Sequence, residues 1–166
     1  MKRSKKILLV SHCILNQNSV VEPLARDGKG IFNKLKPFID DGYGIVQLPC
    51  PELKCFGLRR WGHVKNQFDF PHFKDYSREL LKEYVNDIVS YLDNGYDIYG
   101  VAGIEGSPSC GCTVTCSSDD WKGDVTTSSN TVKMINGKGI FMTVFKNMLS
   151  KKNINLNFFD LVKMND

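Results

Sequence analysis

Three of the six cysteines stand where a strand-like run ends. Ile7-Leu8-Leu9-Val10-Ser11-His12 runs into Cys13. Ile45-Val46-Gln47-Leu48-Pro49 runs into Cys50, followed by Pro51 and Glu52. Ile98-Tyr99-Gly100-Val101-Ala102-Gly103-Ile104 leads into Glu105-Gly106-Ser107-Pro108-Ser109-Cys110-Gly111-Cys112. Open α/β sheets keep their ligands just beyond the carboxyl ends of the strands. Three such strands deliver three thiols to one edge, and adjacent strands are only about 5 Å apart. We read Cys13, Cys50 and Cys110 as ligands of an iron–sulfur cluster, each thiolate serving as a metal ligand to an iron. Their long separations along the chain fit no zinc-finger or ferredoxin spacing, which clusters ligands within a few residues. The weight lies instead on the shared strand-end position, on the stiffening Pro49, Pro51 and Pro108, and on Gly111, which leaves room for a bulky group near the backbone. The competing reading is three buried thiols, since free cysteine is among the most buried residue types.

The chain supports that chemistry in its totals. Its 166 residues favour one domain, 1–166, with a core that stands without staples. A hydrophobic content of 42% and a charged content of 24% are ordinary for a globular protein. The net charge of +4 is mild and no Lys/Arg-rich face appears, which argues against a nucleic-acid duplex as partner. Behind the basic opening Met1 to Lys6, the apolar run Ile7 to Val10 is too short for a signal core or a membrane span. The expected location is the cytoplasm, where cysteines serve as metal ligands or reactive thiols more often than in disulfides.

The elements that must position the thiols follow from periodicity. Strands are expected at 7–12, 44–48, 97–104 and 154–162, and helices at 31–41, 72–94 and 139–151. The stretches 13–29, 51–71 and 113–137 read as loops, the last with at most short structure. Strands alternating with helices imply a parallel sheet with right-handed crossovers. The fold class is therefore α/β: a small three-layer α/β/α sandwich around a four-stranded parallel sheet of order 2-1-3-4. Cys13 and Cys110 would then flank the crevice between strands 1 and 3, with Cys50 one strand further.

Cys13, the triplet Cys50-Pro51-Glu52 and the run Ser107-Pro108-Ser109-Cys110-Gly111 together resemble the DUF523 family, which includes thiouracil desulfurase. The likeness runs from about residue 7 to residue 111 and is nearest to the short desulfidases of anaerobes related to that enzyme (TudS-related). It implies that Cys13, Cys50 and Cys110 bind a [4Fe-4S] cluster with one iron lacking a protein ligand. That iron takes sulfur from a small thiolated compound resembling a nucleobase, and water supplies the replacing oxygen. Glu52 and Ser107 become the candidate catalytic residues, for proton transfer and substrate positioning. The sequence departs from the family pattern at Ile14-Leu15-Asn16-Gln17-Asn18 after the first cysteine and at Lys54-Cys55-Phe56-Gly57.

The chemistry holds together on its own terms. An iron with an open position is a Lewis acid, as catalytic zinc is with three protein ligands. Glu52, two residues from Cys50, is a general base if desolvation raises its pKa; its other reading is a helix-start or surface carboxylate. Cys112 and Cys116 are open to three readings: a fourth ligand, a resolving thiol or sulfur relay, and plain burial. Cys55 reads as a buried thiol. His12 reads as a donor to a cluster sulfide or as a satisfied core histidine. The basic, aromatic run holding Arg59, Arg60, Trp61, His63 and Lys65 reads as a ring-stacking and anion-pairing loop or as a solvated one. The expected partner is a small thiolated molecule, the chain being a monomer or weak homo-oligomer. A second class of function is a non-catalytic cluster- or metal-binding module, a sensor or sulfur carrier, which needs an exposed thiol.

Overall fold

The structure, a computed structural model, describes residues 2–123 and 131–163. Met1 of the basic opening, residues 124–130 of the expected loop and the last three residues lie outside them. In chain order the elements are β1 (Lys6–Val10), α1 (His12–Leu15), α2 (Gly28–Asp40), β2 (Gly44–Gln47), α3 (Pro51–Phe56), α4 (Lys65–Phe68), α5 (Pro71–Asp93), β3 (Asp97–Ile104), β4 (Val114–Ser117), β5 (Lys133–Asn136), α6 (Ile140–Ser150) and β6 (Phe158–Val162).

β1, β2, β3 and β6 form one parallel sheet in the order β2-β1-β3-β6. This is the expected 2-1-3-4 arrangement, with the last strand of the chain at the edge. β1 pairs with both β2 and β3: Leu9 lies opposite Val46 on one side and Val101 on the other. Alternate residues of β1 then face opposite layers, as a strand's period of two requires. Ile7 and Leu9 pack with α5 and α6, through Phe73, Leu81, Val85 and Ile88 of the first and Phe141, Phe145 and Leu149 of the second. Leu8 and Val10 pack with Ile14, and with Ile31 and Leu35 of α2, on the other face. Two apolar clusters, one on each side of the sheet, make the three-layer sandwich.

The differences from the expected elements are local. α2 starts at Gly28, three residues early, because Asp27 caps it by accepting a hydrogen bond from the Lys29 N–H at 3.0 Å. The stretches read as loops after Cys13 and Cys50 each begin with a short helix, α1 and α3. The stretch 113–137 contains an antiparallel pair, β4 with β5, in which Cys116 lies opposite Met134. β6 begins at Phe158 rather than 154, and the preceding Asn157 carbonyl accepts the Val101 N–H at 2.8 Å.

Candidate functional site

Each of the three cysteines lies just past the carboxyl end of its strand. Cys13 is the second residue of α1, directly after β1. Cys50 caps α3: its Sγ accepts the Leu53 N–H at 3.3 Å, and Pro51 takes the first helical position, where a missing N–H costs nothing. Cys110 lies in the turn after β3. That turn is fastened from several sides. Ser107 Oγ accepts the Cys110 N–H at 3.0 Å. The first residues of α6 donate back to it, Ile140 N–H to the Pro108 carbonyl at 3.0 Å and Met142 N–H to the Ser109 carbonyl at 3.2 Å. From β6, buried Asp160 accepts the N–H groups of Cys112 at 2.7 Å and Thr113 at 2.8 Å. Asp160 went unremarked in the sequence, where a carboxylate inside an apolar strand pattern was its only signal.

Cys13, Cys50 and Cys110 line one cavity of about 340 Å³, together with Glu52, Ser107 and Ser109. Most of the remaining wall is apolar, including Val20, Val21, Leu24, Ile104, Val132 and Met134. Burial pushes the Cys13 thiol up to about 12, helped by the nearby Cys50 and Glu52. Burial also raises Cys50 and Cys110, and Cys13 and Cys50 add to the rise at Cys110. The three thiols thus feel one another across a small space. Among the described residues, no three His, Cys, Asp or Glu side chains close on a point fit for a single metal ion. A cluster makes a different demand: each thiolate binds its own iron, so the thiols surround an object without meeting. Three thiols around one cavity, Cys50 and Cys110 buried and Cys13 half-buried, fit that donor set, and loading would displace their protons.

Glu52 is buried, at 9% exposure, on the first turn of α3. Ser109 Oγ donates to Glu52 Oε1 at 2.5 Å and lies 3.4 Å from Ser107 Oγ and 3.5 Å from Cys110 Sγ. Arg60 Nε lies 3.6 Å from Glu52 Oε2, and the Arg60 side chain is only 4% exposed. Burial raises the Glu52 carboxyl above its ordinary value, and the Ser109 hydrogen bond and the Arg60 charge offset only part of that rise. The surface-carboxylate reading of Glu52 is excluded. Ser109 and the Arg60–Glu52 pairing were not foreseen, because contacts between a loop and a helix start leave no periodic trace.

The structure separates the remaining candidates. Cys116, on β4, lines the cavity, and burial pushes its thiol up to about 11. Cys112 is fully buried against the sheet, donates weakly to the Val101 carbonyl at 3.7 Å and stays away from the cavity wall. Gln17 lines the cavity and is occupied twice, donating to the Cys13 carbonyl at 2.6 Å and accepting the Arg26 N–H at 2.9 Å. From the basic, aromatic run, Arg60 and His63 reach the wall; Trp61 is 62% exposed, and the indole at the wall is Trp121. Cys55 is half-buried, and His12, the residue before Cys13, has a buried Nε2 without a hydrogen-bond partner and does not line the cavity. Among the described residues no helix is long and apolar enough to cross a membrane.

No family model matches the chain, and no solved structure matches it. An archaeal protein from Methanocaldococcus jannaschii, described as uncharacterized protein MJ0003, is 38% identical to it over 109 residues, which cover 65% of this chain and 69% of that one. On this identity and coverage, the chain belongs to the same family as that archaeal protein.

Proposed function

We propose that the chain is a [4Fe-4S]-dependent desulfidase that removes sulfur from a small thiolated compound, working in the cytoplasm. The observation that carries this reading is the meeting of three thiols, two buried and that of Cys13 half-buried, from the ends of three neighbouring parallel strands, with a buried carboxylate in one mostly apolar cavity. The sequence likeness to the thiouracil desulfurase family points the same way. Cys13, Cys50 and Cys110 would hold the cluster, which supplies, when bound, an iron free to take up the departing sulfur.

The chain's own residues do the rest. The apolar wall excludes bulk water, which strengthens every polar interaction inside. Glu52 accepts the proton of the one water admitted, its basicity raised by burial and its orientation fixed by Ser109 and Arg60. Ser109 Oγ lies between Glu52 and the Cys110 sulfur, so one hydroxyl fixes the carboxylate beside the thiol that would hold the cluster. Ser107 holds the Cys110 backbone in place and offers its hydroxyl to the cavity. A sulfur carrier needs an exposed thiol, and Cys112 and Cys116, its candidates, are both buried.

The test is sulfide release by the anaerobically reconstituted protein, measured with a panel of thiolated nucleobases and small thioamides. Release from at least one member, dependent on iron loading, is the expected result. A verified cluster with no release from any of them would favour the non-catalytic module.

A further inference from the structure

A second concavity, of about 620 Å³, lies between α5 and α6 and shares no lining residue with the thiol cavity. Four cations line it, Lys65, Lys74, Arg78 and Lys151, against one acid, Asp69. Lys65 opens α4, Lys74 and Arg78 lie one turn apart on α5, and Lys151 ends α6. No charged run marks them in the sequence; the fold brings them together. Between them the buried Ile140 and Val144 of α6 make an apolar floor. Asp69 is taken by Lys74, and Asp75, outside the lining, pairs with Arg78. Both pairs are exposed, and exposed ion pairs are worth little, so these two cations can turn to a stronger anion. Neither Lys65 nor Lys151 is in an ion pair among the described residues. Lys151 gains from its place at the end of α6, where the helix dipole favours a cation. Lys65 has no such compensation: it is half-buried, and its ammonium stands beside Gly137, ahead of α6. A concave surface lined by one sign of charge focuses its field on the space it encloses.

We propose that this groove is a binding site, separate from the thiol cavity, for a polyphosphate group, either a free inorganic chain or one carried by an organic molecule. The stretch from Ile140 to Lys151 spans about 16 Å of helix. Lys65 stands near its start and Lys151 at its end, so a single phosphate or carboxylate meets one of them only. Linked phosphates put several charges along the groove, and the long lysine side chains close the remaining distance. Lysine supplies a point charge and Arg78 a planar fork, the two usual ligands of phosphate. The first N–H groups of α6 are not available, since Ile140 and Met142 donate to the Pro108 and Ser109 carbonyls. Affinity therefore rests on the side chains. No aromatic ring lines the groove among the described residues, so an attached base would gain no stacking and the phosphates carry the recognition. The inference does not rest on the desulfidase reading.

The test is isothermal titration calorimetry of the full chain with inorganic triphosphate, ATP and adenosine, without added metal. Salt is held at about 0.15 M, which screens attraction beyond roughly 8 Å. Both phosphorylated probes bind and adenosine does not. Lys65→Gln and Lys151→Gln each weaken that binding by roughly 10-fold, the size of one hydrogen bond to a charged group. Lys36→Gln, which removes the same charge from α2, leaves it unchanged. ATP binding tighter than triphosphate identifies an organic ligand, and the reverse or equal affinity a free chain; either supports the site. Absence of binding by both phosphorylated probes overturns it. So do affinities that Lys65→Gln and Lys151→Gln leave intact, which would put the probe elsewhere on the molecule. A loss that Lys36→Gln reproduces overturns it as well, since it would show only a general attraction to a basic chain.

Discussion

Glu52 gathers the proton chemistry of the cavity at a single residue. Its carboxyl is buried beside the thiols, takes a 2.5 Å hydrogen bond from Ser109 and faces the guanidinium of Arg60. Replacing it with Gln keeps the shape and the Ser109 contact while removing the base. The Glu52→Gln protein should therefore retain its iron and lose turnover by roughly 10²-fold, the usual size of a lost acid–base group. Anaerobic sulfide-release rates, normalised to iron content, read this directly, and unimpaired turnover would remove Glu52 from the role. Glu52 was legible because it follows Cys50-Pro51 so closely. Ser109 was quoted in the Ser-Pro-Ser-Cys run without a role, since which of two serines meets the carboxylate depends on how the turn folds. Arg60 and His63 stood out as basic and aromatic, yet only the fold shows which of Arg59, Arg60, Trp61, His63 and Lys65 face the cavity.

At the scale of elements, the turn after β3 is the part held most tightly. Gly103, near the end of β3, has no room for a side chain: a Cβ there would collide with the Cys110 carbonyl and the Cys112 sulfur. Backbone and a buried thiol cannot yield cheaply, so Gly103→Ala should destabilise the fold by about 1–3 kcal/mol, the range for overpacking. It should also lower iron retention, because the atom displaced belongs to Cys110 itself. Denaturant unfolding and iron content on the same samples check both; an unchanged midpoint would show that the turn adapts. The parallel sheet and its order were legible because each strand is a short apolar run and each long helix has a clear stripe. Short helices were not: α1 and α3 are too brief for periodicity to register, and they are set by tertiary contacts at the strand ends. The β4–β5 pair escaped for a related reason. It lies in a stretch of Ser, Thr, Asp and Asn, and β5 is exposed along its length, so neither core burial nor alternation marks it.

The whole molecule buries four of its six thiols, those of Cys50, Cys110, Cys112 and Cys116, in a sandwich with an apolar layer on each side of the sheet. Burial moves those thiols in one direction, upward, and this couples stability to pH. An unfolded thiol titrates near 9, whereas Cys116 in the folded chain is pushed up to about 11. Below pH 9 both states hold the proton and the contribution is complete. As pH rises from 9 toward 11 the unfolded chain releases its proton first, and the folded state loses ground. The metal-free protein should thus show a falling melting temperature across that window under anaerobic, reducing conditions. Cys116→Ala should flatten part of the fall, and an identical slope in the variant would show that its thiol does not contribute.

The account stands or falls on the cluster. The most direct measurement is iron and acid-labile sulfide per chain, after anaerobic reconstitution, in the wild type and in Cys13→Ser, Cys50→Ser, Cys110→Ser and Cys55→Ser proteins of verified fold. A serine oxygen is a poor ligand for soft iron. The prediction is about four irons and four sulfides per chain in the wild type and in Cys55→Ser, with a sharp loss in each of the other three. A wild type that takes up no iron, or a full complement retained in all three of those variants, would contradict it.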